Sequence, residues 1–260
     1  MNTSQRARSA WPSDWFSDWP YPALVAHRGA GQLAPENTLA ALRLGRSFGY
    51  RMFEIDVKLS ADGVALLMHD ATLERTTDGR GRVDAYPFAA LARLDAGAWH
   101  SAQYAGEGIP TLDRVAHWIL ANHAMLNIEI KPSPGLERKT GAAIAREASK
   151  AWRDAAVAPL LSSFSTVALA AAREVAPELP RALLFDELPA DWLDRCRALG
   201  CVALDAHHPT LGRKLIEQAH RASLRVLAYT VNDEARADEL LDAGLDVLIT
   251  DAVDRIAPGR

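Results

Sequence analysis

Cysteine is scarce in this chain of 260 residues, and long apolar runs are missing. The two cysteines, Cys196 and Cys201, are too few for a disulfide framework, and their spacing matches no four-ligand zinc signature. The sequence has no run of about 18 apolar residues, which a membrane-spanning helix would need. Near the start, charge and proline interrupt the apolar stretch that a secretory signal requires. The sequence therefore predicts a cytoplasmic protein without stable membrane insertion.

The chain also lacks an excess of charge of either sign. It has 29 basic and 33 acidic residues, so the formal net charge is -4. A basic footprint for nucleic acid is absent. Hydrophobic residues make up 49% and charged residues 24% of the chain, as in average globular proteins. The composition predicts a folded domain that makes only local contacts with phosphate.

The chain has two segments that differ in composition and periodicity. Residues 1–20 are rich in Trp, Ser, Asp and Pro without periodicity, which predicts an extended N-terminal arm. In residues 21–260, short runs of Val, Ile and Leu alternate with longer amphipathic stretches, which is typical of βα units. The strand candidates are 23–27, 52–57, 64–68, 125–131, 159–163, 181–185, 201–205, 225–230 and 246–250.

The second and third strand candidates lie too close together for a parallel crossover, which needs a dozen or more residues. Residues 58–63 contain the turn sequence Ala-Asp-Gly, so we expect an antiparallel hairpin. Eight parallel strands remain, and helices are predicted over 35–48, 136–154, 165–176, 189–199, 211–222 and 232–243. This arrangement predicts an α/β fold, a TIM (β/α)8 barrel. A doubly wound sheet is the alternative, although no G-x-G-x-x-G follows a strand.

Residues 71–110 break the alternation of strands and helices. They contain Asp78-Gly79-Arg80-Gly81 and a short helical patch near 87–93. Loops at the carboxyl ends of barrel strands build the site, and this segment directly follows such an end. We therefore expect a small inserted cap that lies over the site.

Acidic side chains alternate with apolar ones on two of the strand candidates. Glu54 and Asp56 share one face of the second, and Asn127, Glu129 and Lys131 share one face of the fourth. In a barrel these faces point inward near the mouth. Burying three carboxylates together is costly unless a cation neutralises them, and oxygen ligands suit Mg²⁺ or Ca²⁺. An internal salt bridge with Lys131 is the alternative.

Two histidines are predicted to reach the same rim. His27 ends the first strand and precedes Arg28, while His69 ends the return arm of the hairpin. Antiparallel pairing places positions 56 and 69 close together. Imidazole transfers protons in either direction near neutral pH, and arginine offers a fork for phosphate. The combination indicates acid/base chemistry on a phosphate or carboxylate substrate.

The order of these motifs resembles the signature of the glycerophosphodiester phosphodiesterases across residues 25–251. The matching motifs are His27-Arg28-Gly29, Pro35-Glu36-Asn37-Thr38, Glu54-Ile55-Asp56-Val57, Asp62-Gly63, His69-Asp70, Pro110-Thr111-Leu112-Asp113 and Glu129-Ile130-Lys131. The resemblance implies a TIM barrel with a small insertion. It also implies the hydrolysis of glycerophosphodiesters, such as glycerophosphocholine or glycerophosphoethanolamine, to glycerol 3-phosphate and an alcohol.

The resemblance further implies a role for each group of site residues. It assigns the divalent metal ion to Glu54, Asp56 and Glu129, the acid/base pair to His27 and His69, and phosphate binding to Arg28 and Lys131. Tyr229 and Asn232 correspond to a substrate-pocket motif that reads Trp-Thr-Val-Asn in many members and Tyr-Thr-Val-Asn here. The aromatic wall has therefore changed size and gained a hydroxyl.

Other residues favour structural roles. Pro35 suits the first position of a helix, with Glu36 and Asn37 in its first turn, although a loop this close to Arg28 could also fix that side chain. The pair His207-His208 favours a loop over a metal site, because adjacent strand residues point to opposite faces.

Two alternative functions remain open on the sequence alone. One is a related barrel phospholipase, of lysophospholipase D or inositol phospholipid phospholipase C type, for which Trp11, Trp15, Phe16 and Trp19 offer an apolar arm. The other is a non-catalytic barrel that binds metal or phosphate. The sequence does not distinguish Mg²⁺ from Ca²⁺ and does not determine the oligomeric state.

Overall fold

Eight parallel strands close into a barrel in the computed structural model, which describes residues 19–258. The strands of the sheet are β1 (Leu24–Ala26), β2 (Met52–Leu59), β3 (Ala65–Leu67), β4 (Met125–Ile130), β5 (Leu160–Ser163), β6 (Arg181–Phe185), β7 (Ala203–His207), β8 (Arg225–Tyr229) and β9 (Val247–Thr250). All except β3 belong to the barrel, which closes where β1 pairs with both β2 and β9. The predicted TIM-barrel fold is confirmed.

Helices alternate with the barrel strands, as predicted. They are α1 (Leu39–Ser47), α2 (Phe88–Leu91), α3 (Leu112–Ala121), α4 (Glu137–Ala151), α5 (Thr166–Val175), α6 (Trp192–Leu199), α7 (Arg213–Arg221) and α8 (Glu234–Asp242). Thr38, Thr111, Ser165 and Asp233 cap α1, α3, α5 and α8 by accepting a backbone N–H. Within residues 19–258, no helix is long and apolar enough to cross a bilayer.

The start of α1 differs from the prediction of a helix over 35–48. The helix begins at Leu39, and Pro35 lies in the loop before it rather than at the first helical position. Asn37 has a φ of 59°, which is incompatible with a right-handed helix. The Thr38 hydroxyl donates to the Pro35 carbonyl and accepts from the Ala41 N–H, so it caps the helix at this point. The loop leaves Glu36 and Asn37 available to the site.

Strand β3 pairs antiparallel with the far end of β2, through Val57 with Leu67 and Leu59 with Ala65. Gly63 provides the turn with a φ of 82°, a conformation that glycine adopts without strain. The following segment packs its own small apolar cluster, including Leu73, against the outer face of this hairpin. The hairpin therefore carries the inserted segment to the rim of the barrel.

The lower part of the barrel interior is apolar. Every barrel strand except β4 contributes a buried side chain to this cluster, and β9 contributes two; the residues are Val25, Met52, Leu160, Ala182, Ala203, Leu227, Val247 and Ile249, with Met125 of β4 partly buried against them. Because strand side chains alternate, the inward positions two residues further along face the mouth. Several of them carry polar side chains, at Glu54, Ser162 and Asp205. The interior thus changes from apolar to polar toward the carboxyl ends of the strands.

The predicted arm, residues 1–20, falls largely outside the described part of the chain. Trp11, Trp15 and Phe16 all lie outside the described residues. Trp19 is described and packs edge-to-face on Tyr21, with 4.9 Å between the ring centroids. Both belong to the apolar cluster at the bottom of the barrel, at the opposite end from the acidic side chains.

Candidate active site

Three carboxylates meet at the mouth of the barrel. Asp56 on β2 lies beside Glu129 on β4, and Glu54 precedes Asp56 on the same face of its strand. One oxygen of each lies within 4.8 Å of the others. The three side chains are buried, with exposed fractions of 3% for Glu54, 1% for Asp56 and 8% for Glu129. The alternation of polar and apolar residues correctly predicted this cluster.

Lys131 contacts two of the three acids. Its ammonium lies 2.7 Å from Glu129 Oε1 and 3.6 Å from Asp56 Oδ1. The salt-bridge alternative therefore describes part of the site. However, Glu54 Oε1 is buried without a hydrogen-bond partner among the described residues. A converging set of carboxylate oxygens with one unpaired member fits a hard divalent cation.

Burial and mutual repulsion make these acids hard to ionise together. Burial, with Asp56 and Glu129 nearby, raises the pKa of Glu54 well above its usual value. Burial and the charge of Asp56 raise the pKa of Glu129 to about 7. Burial acts on Asp56 too, but Arg28 and Lys131 outweigh it and lower the pKa of Asp56 to about 2. A bound divalent cation would keep all three in the carboxylate form.

His27 lies between two carboxylates. Its Nδ1 is 2.6 Å from Asp251 Oδ1, and its Nε2 is 3.8 Å from Glu54 Oε2. A carboxylate on Nδ1 holds the proton on that nitrogen, which leaves Nε2 as the nitrogen able to accept a proton. The sequence-based reasoning missed Asp251. The signal was its place directly after the last barrel strand, where site residues of TIM barrels lie.

Asn232 contacts Asp251 from the end of the neighbouring strand. Its Nδ2 donates to Asp251 Oδ2 at 3.1 Å, while its Oδ1 accepts from the Asp251 N–H at 2.8 Å and from the Thr250 hydroxyl at 3.2 Å. The sequence-based expectation placed Asn232 in the substrate pocket. In the structure, both ends of its amide bind Asp251, and the substrate-pocket role stays a prediction.

His69 has a similar carboxylate partner. Its Nδ1 lies 2.7 Å from Asp70 Oδ1. Burial, together with the charges of Arg28 and Lys131, lowers the pKa of His69 despite the attraction of Asp56. Both histidines that were expected to act as the acid/base pair therefore have a carboxylate on Nδ1. His27 also contacts Glu54, and His69 is close enough for the charge of Asp56 to act on its pKa.

Arg28 sits in a left-handed turn, with a φ of 50°. This conformation is strained for a residue with a side chain and is often found at functional sites. It lets the backbone N–H donate to Glu54 Oε2 at 3.1 Å, while Nη1 donates to Glu36 Oε1 at 2.8 Å. The guanidinium Nε lies 3.3 Å from Asp56 Oδ2. Arg28 therefore places a cation next to the acidic cluster.

Asn37 binds Asp56 from the loop before α1. Its Nδ2 donates to Asp56 Oδ2 at 2.8 Å, and its Oδ1 accepts from the Asp56 N–H at 3.0 Å. The preferred sequence interpretation, first-turn helix chemistry for Glu36 and Asn37, was wrong. The other interpretation, a loop that fixes Arg28, describes the structure.

Aromatic side chains line another part of the mouth. Tyr229, at the end of β8, donates its hydroxyl to Asp186 Oδ1 at 2.9 Å. Its ring is perpendicular to that of Phe164, with centroids 5.9 Å apart, and the Lys131 ammonium lies 5.3 Å from the Phe164 ring centroid. Lys131 therefore stands between this aromatic wall and the acids. His207 ends β7 and His208 begins a single 3₁₀ turn.

Replacing Asp251 with Asn tests the contact to His27. We expect Asp251→Asn to lower kcat about 10–100-fold, because the amide no longer holds the imidazole in one tautomer and orientation. Steady-state kinetics measure the loss. Asp113→Asn is the matched control, since Asp113 lies 3.5 Å from Nδ1 of the exposed His117 on α3. An equal effect of both substitutions would contradict the positioning role of Asp251.

Comparison with known proteins agrees with this geometry. Residues 27–255 match the model of the glycerophosphoryl diester phosphodiesterase family. The chain is 32% identical over 233 residues to a glycerophosphodiester phosphodiesterase of Caldanaerobacter subterraneus, covering 88% of this chain and 93% of that protein.

Solved structures of similar proteins share the fold. An Oleispira antarctica phosphodiesterase, solved in complex with the product sn-glycerol-3-phosphate, is 38% identical with a TM-score of 0.85, covering 90% of this chain and 95% of that one. A glycerophosphodiester phosphodiesterase from Agrobacterium tumefaciens is 29% identical with a TM-score of 0.75, covering 90% and 98%. The chain therefore belongs to the glycerophosphoryl diester phosphodiesterase family and is a phosphoric diester hydrolase.

Proposed function

We propose that the protein hydrolyses glycerophosphodiesters, such as glycerophosphocholine or glycerophosphoethanolamine, to glycerol 3-phosphate and an alcohol. The observation that carries the proposal is the pair of histidines at the acidic cluster. Each has a carboxylate on Nδ1, at 2.6 Å for His27 and 2.7 Å for His69. A site that only bound phosphate or metal would not require two imidazoles held in this way.

The acidic cluster is the proposed site of one divalent cation, Mg²⁺ or Ca²⁺, on Glu54, Asp56 and Glu129. Their oxygens lie within 4.8 Å of one another, and Glu54 Oε1 has no hydrogen bond among the described residues. When bound, such an ion polarises a phosphoryl oxygen and orients the reacting hydroxyl. The carboxylates of this chain hold its charge at the mouth of the barrel.

Arg28 and Lys131 are proposed to bind the phosphate. Both cations are held at the acidic cluster, Arg28 through Glu36 and Asp56, and Lys131 through Glu129. These contacts fix the cations before the substrate arrives, so little reorganisation is needed when negative charge grows on the phosphoryl oxygens. Tyr229 and Phe164 supply an apolar wall for the carbon atoms of the substrate.

The two histidines are proposed to divide the proton transfers. His27 takes the proton of the attacking hydroxyl at Nε2, and His69 donates a proton from Nε2 to the leaving alkoxide. Their Nδ1 contacts with Asp251 and Asp70 keep both rings in the required orientation. Each transfer contributes about 10²–10⁴-fold to the rate, the usual scale for a positioned acid or base.

The attacking hydroxyl is proposed to be the 2-hydroxyl of the glycerol, which forms a cyclic phosphate that water then opens. Intramolecular attack is favoured because a well-placed neighbouring hydroxyl reaches effective molarities of roughly 10⁵–10⁸ M. A substrate with hydrogen in place of this hydroxyl should therefore turn over at least about 10³-fold more slowly at saturation. The deoxy compound should still inhibit competitively. Equal turnover of both substrates would show that water attacks directly.

Release of glycerol 3-phosphate from glycerophosphocholine by the purified protein tests the proposal as a whole. A coupled assay with glycerol-3-phosphate dehydrogenase follows the product continuously. The same assay with glycerophosphoethanolamine tests a second diester. Choline release from lysophosphatidylcholine is measured separately and tests for lysophospholipase D activity, because that cleavage yields lysophosphatidate rather than glycerol 3-phosphate. Choline release from the lysophospholipid without glycerol 3-phosphate from either diester, or no release at all, would contradict the proposal.

A further inference from the structure

The inserted segment carries an arginine that contacts two carboxylates at the rim of the site. We propose that Arg75 is a positioning residue for the hydrolysis, which holds His69 through Asp70 and Arg28 through Glu36. The inference rests on the proposed function, because it concerns how the acid and the phosphate-binding cation of that same reaction are oriented.

The guanidinium of Arg75 forms hydrogen bonds with both carboxylates. Nε donates to Asp70 Oδ2 at 2.6 Å, and Nη2 donates to Asp70 Oδ1 at 3.0 Å. Nη1 donates to Glu36 Oε2 at 2.6 Å, and Nη2 also donates to Glu36 Oε1 at 2.8 Å. Two carboxylates are therefore each bound through both of their oxygens by one side chain.

Each of these carboxylates makes one more contact, toward the reacting groups. Asp70 Oδ1 lies 2.7 Å from His69 Nδ1, and Glu36 Oε1 accepts from Arg28 Nη1 at 2.8 Å. Hydrogen bonds from Arg75 hold the pKa of Asp70 below its usual range, so Asp70 stays an acceptor. An unbroken series of contacts connects the proposed general acid with the proposed phosphate-binding arginine.

Stability does not account for this arrangement. The side chain of Arg75 is 43% exposed, and exposed ion pairs contribute little to the free energy of unfolding. Orientation does account for it, because a planar guanidinium restricts both carboxylates through paired hydrogen bonds. A lysine at this position would offer one ammonium, which cannot bind both carboxylates in this way.

The backbone around Arg75 is well anchored for such a role. Leu73 packs in the apolar cluster of the inserted segment, and the Thr77 N–H and hydroxyl both bind the Leu73 carbonyl. The buried Thr76 hydroxyl contacts Met68 Sδ, next to His69. The inserted segment thus holds Arg75 at a fixed place beside the barrel rim.

Arg75→Ala should impair the natural reaction more than a reaction that needs no general acid. We expect kcat/KM to fall about 100-fold on a diester with an alkyl leaving group, because small misplacements of reacting groups have effects of this size. On a p-nitrophenyl diester, whose leaving group hardly needs protonation, we expect kcat/KM to fall only about tenfold. This smaller loss reflects the misplacement of Arg28 alone. The same substitution is then made in an Asp70→Asn variant. There, Arg75→Ala should lower kcat/KM by the same factor on both diesters, because the contact from Asp70 to His69 is already altered.

Two further variants make the test specific. Arg82→Ala is the matched control, because Arg82 is on the same segment, is 49% exposed and pairs with Asp84 through two hydrogen bonds. It should keep wild-type activity within about twofold, as expected for an exposed ion pair. Arg75→Lys should stay at least about tenfold below the wild type on the alkyl diester.

Several results would overturn the proposal. They are full activity in Arg75→Ala, equal losses on both diesters, or full recovery in Arg75→Lys, which would mean that charge alone suffices. Crystal structures of the wild type and Arg75→Ala provide a readout without activity, and unchanged His69 and Asp70 rotamers would also overturn it. If the wild type releases no glycerol 3-phosphate, the proposed function fails, while this structural comparison still decides the role of Arg75.

Discussion

Removing divalent cations with EDTA and dialysis is expected to lower turnover at least about 10³-fold, because a bound cation stabilises the transition state by several kcal/mol. Adding Mg²⁺ or Ca²⁺ should restore it. Without the cation, burial and repulsion raise the pKa of Glu54 and Glu129, so protons compete with the cation for these carboxylates. Full turnover in excess chelator would contradict the metal site, and comparison of the two ions identifies the preferred one.

Glu129→Gln separates this prediction from a general loss of structure. The amide removes one anionic ligand, so cation affinity measured by calorimetry should fall, while the circular dichroism spectrum should not change. Glu147→Gln on α4 is the matched control, because Glu147 is outside the acidic cluster and its pKa is also raised by burial. This control should bind the cation as the wild type does.

His69→Ala is expected to lower kcat by about 10²–10⁴-fold on a diester with an alkyl leaving group. The physical reason is the loss of the proton donor for the alkoxide. The p-nitrophenolate group leaves without protonation. Turnover of a p-nitrophenyl diester by His69→Ala should therefore approach that of the wild type. His27→Ala should be impaired on both substrates, because the attacking hydroxyl still has to lose its proton.

His117→Ala serves as the control, since His117 is exposed on α3. It should leave both rates unchanged. If the activated diester rescues His27→Ala instead of His69→Ala, the two histidines have exchanged roles. If neither histidine variant loses activity, acid/base catalysis by this pair is wrong.

Local patterns in the sequence predicted the barrel and the centre of the site. Alternation of acidic and apolar residues placed Glu54, Asp56 and Glu129 on inward faces, and register between neighbouring strands then brought them together. The turn sequence between β2 and β3 was enough to bring His69 to the same rim. These features depend on residues that are close along the chain or on adjacent strands. The hydrophobic period and the spacing of motifs in the sequence describe such local relations well.

The residues that hold the site in place were harder to predict. Asp251 is 224 positions from His27, and the two meet only because β9 pairs with β1 when the barrel closes. Pro35 predicted the start of α1 too early, because the left-handed Asn37 interrupts the helix and α1 begins only after Thr38. The cytoplasmic location stays a prediction.

The contact between His27 and Asp251 also has a consequence for biosynthesis. Because it joins the ends of the first and last barrel strands, the proposed base gains its partner only after nearly the whole chain has left the ribosome. Contacts this distant in sequence form late, since a long loop has to close first. Nascent chains that lack β9 would therefore lack the partner of the proposed base even with both histidines and all three acids in place, and full enzymatic activity would report completed barrel closure.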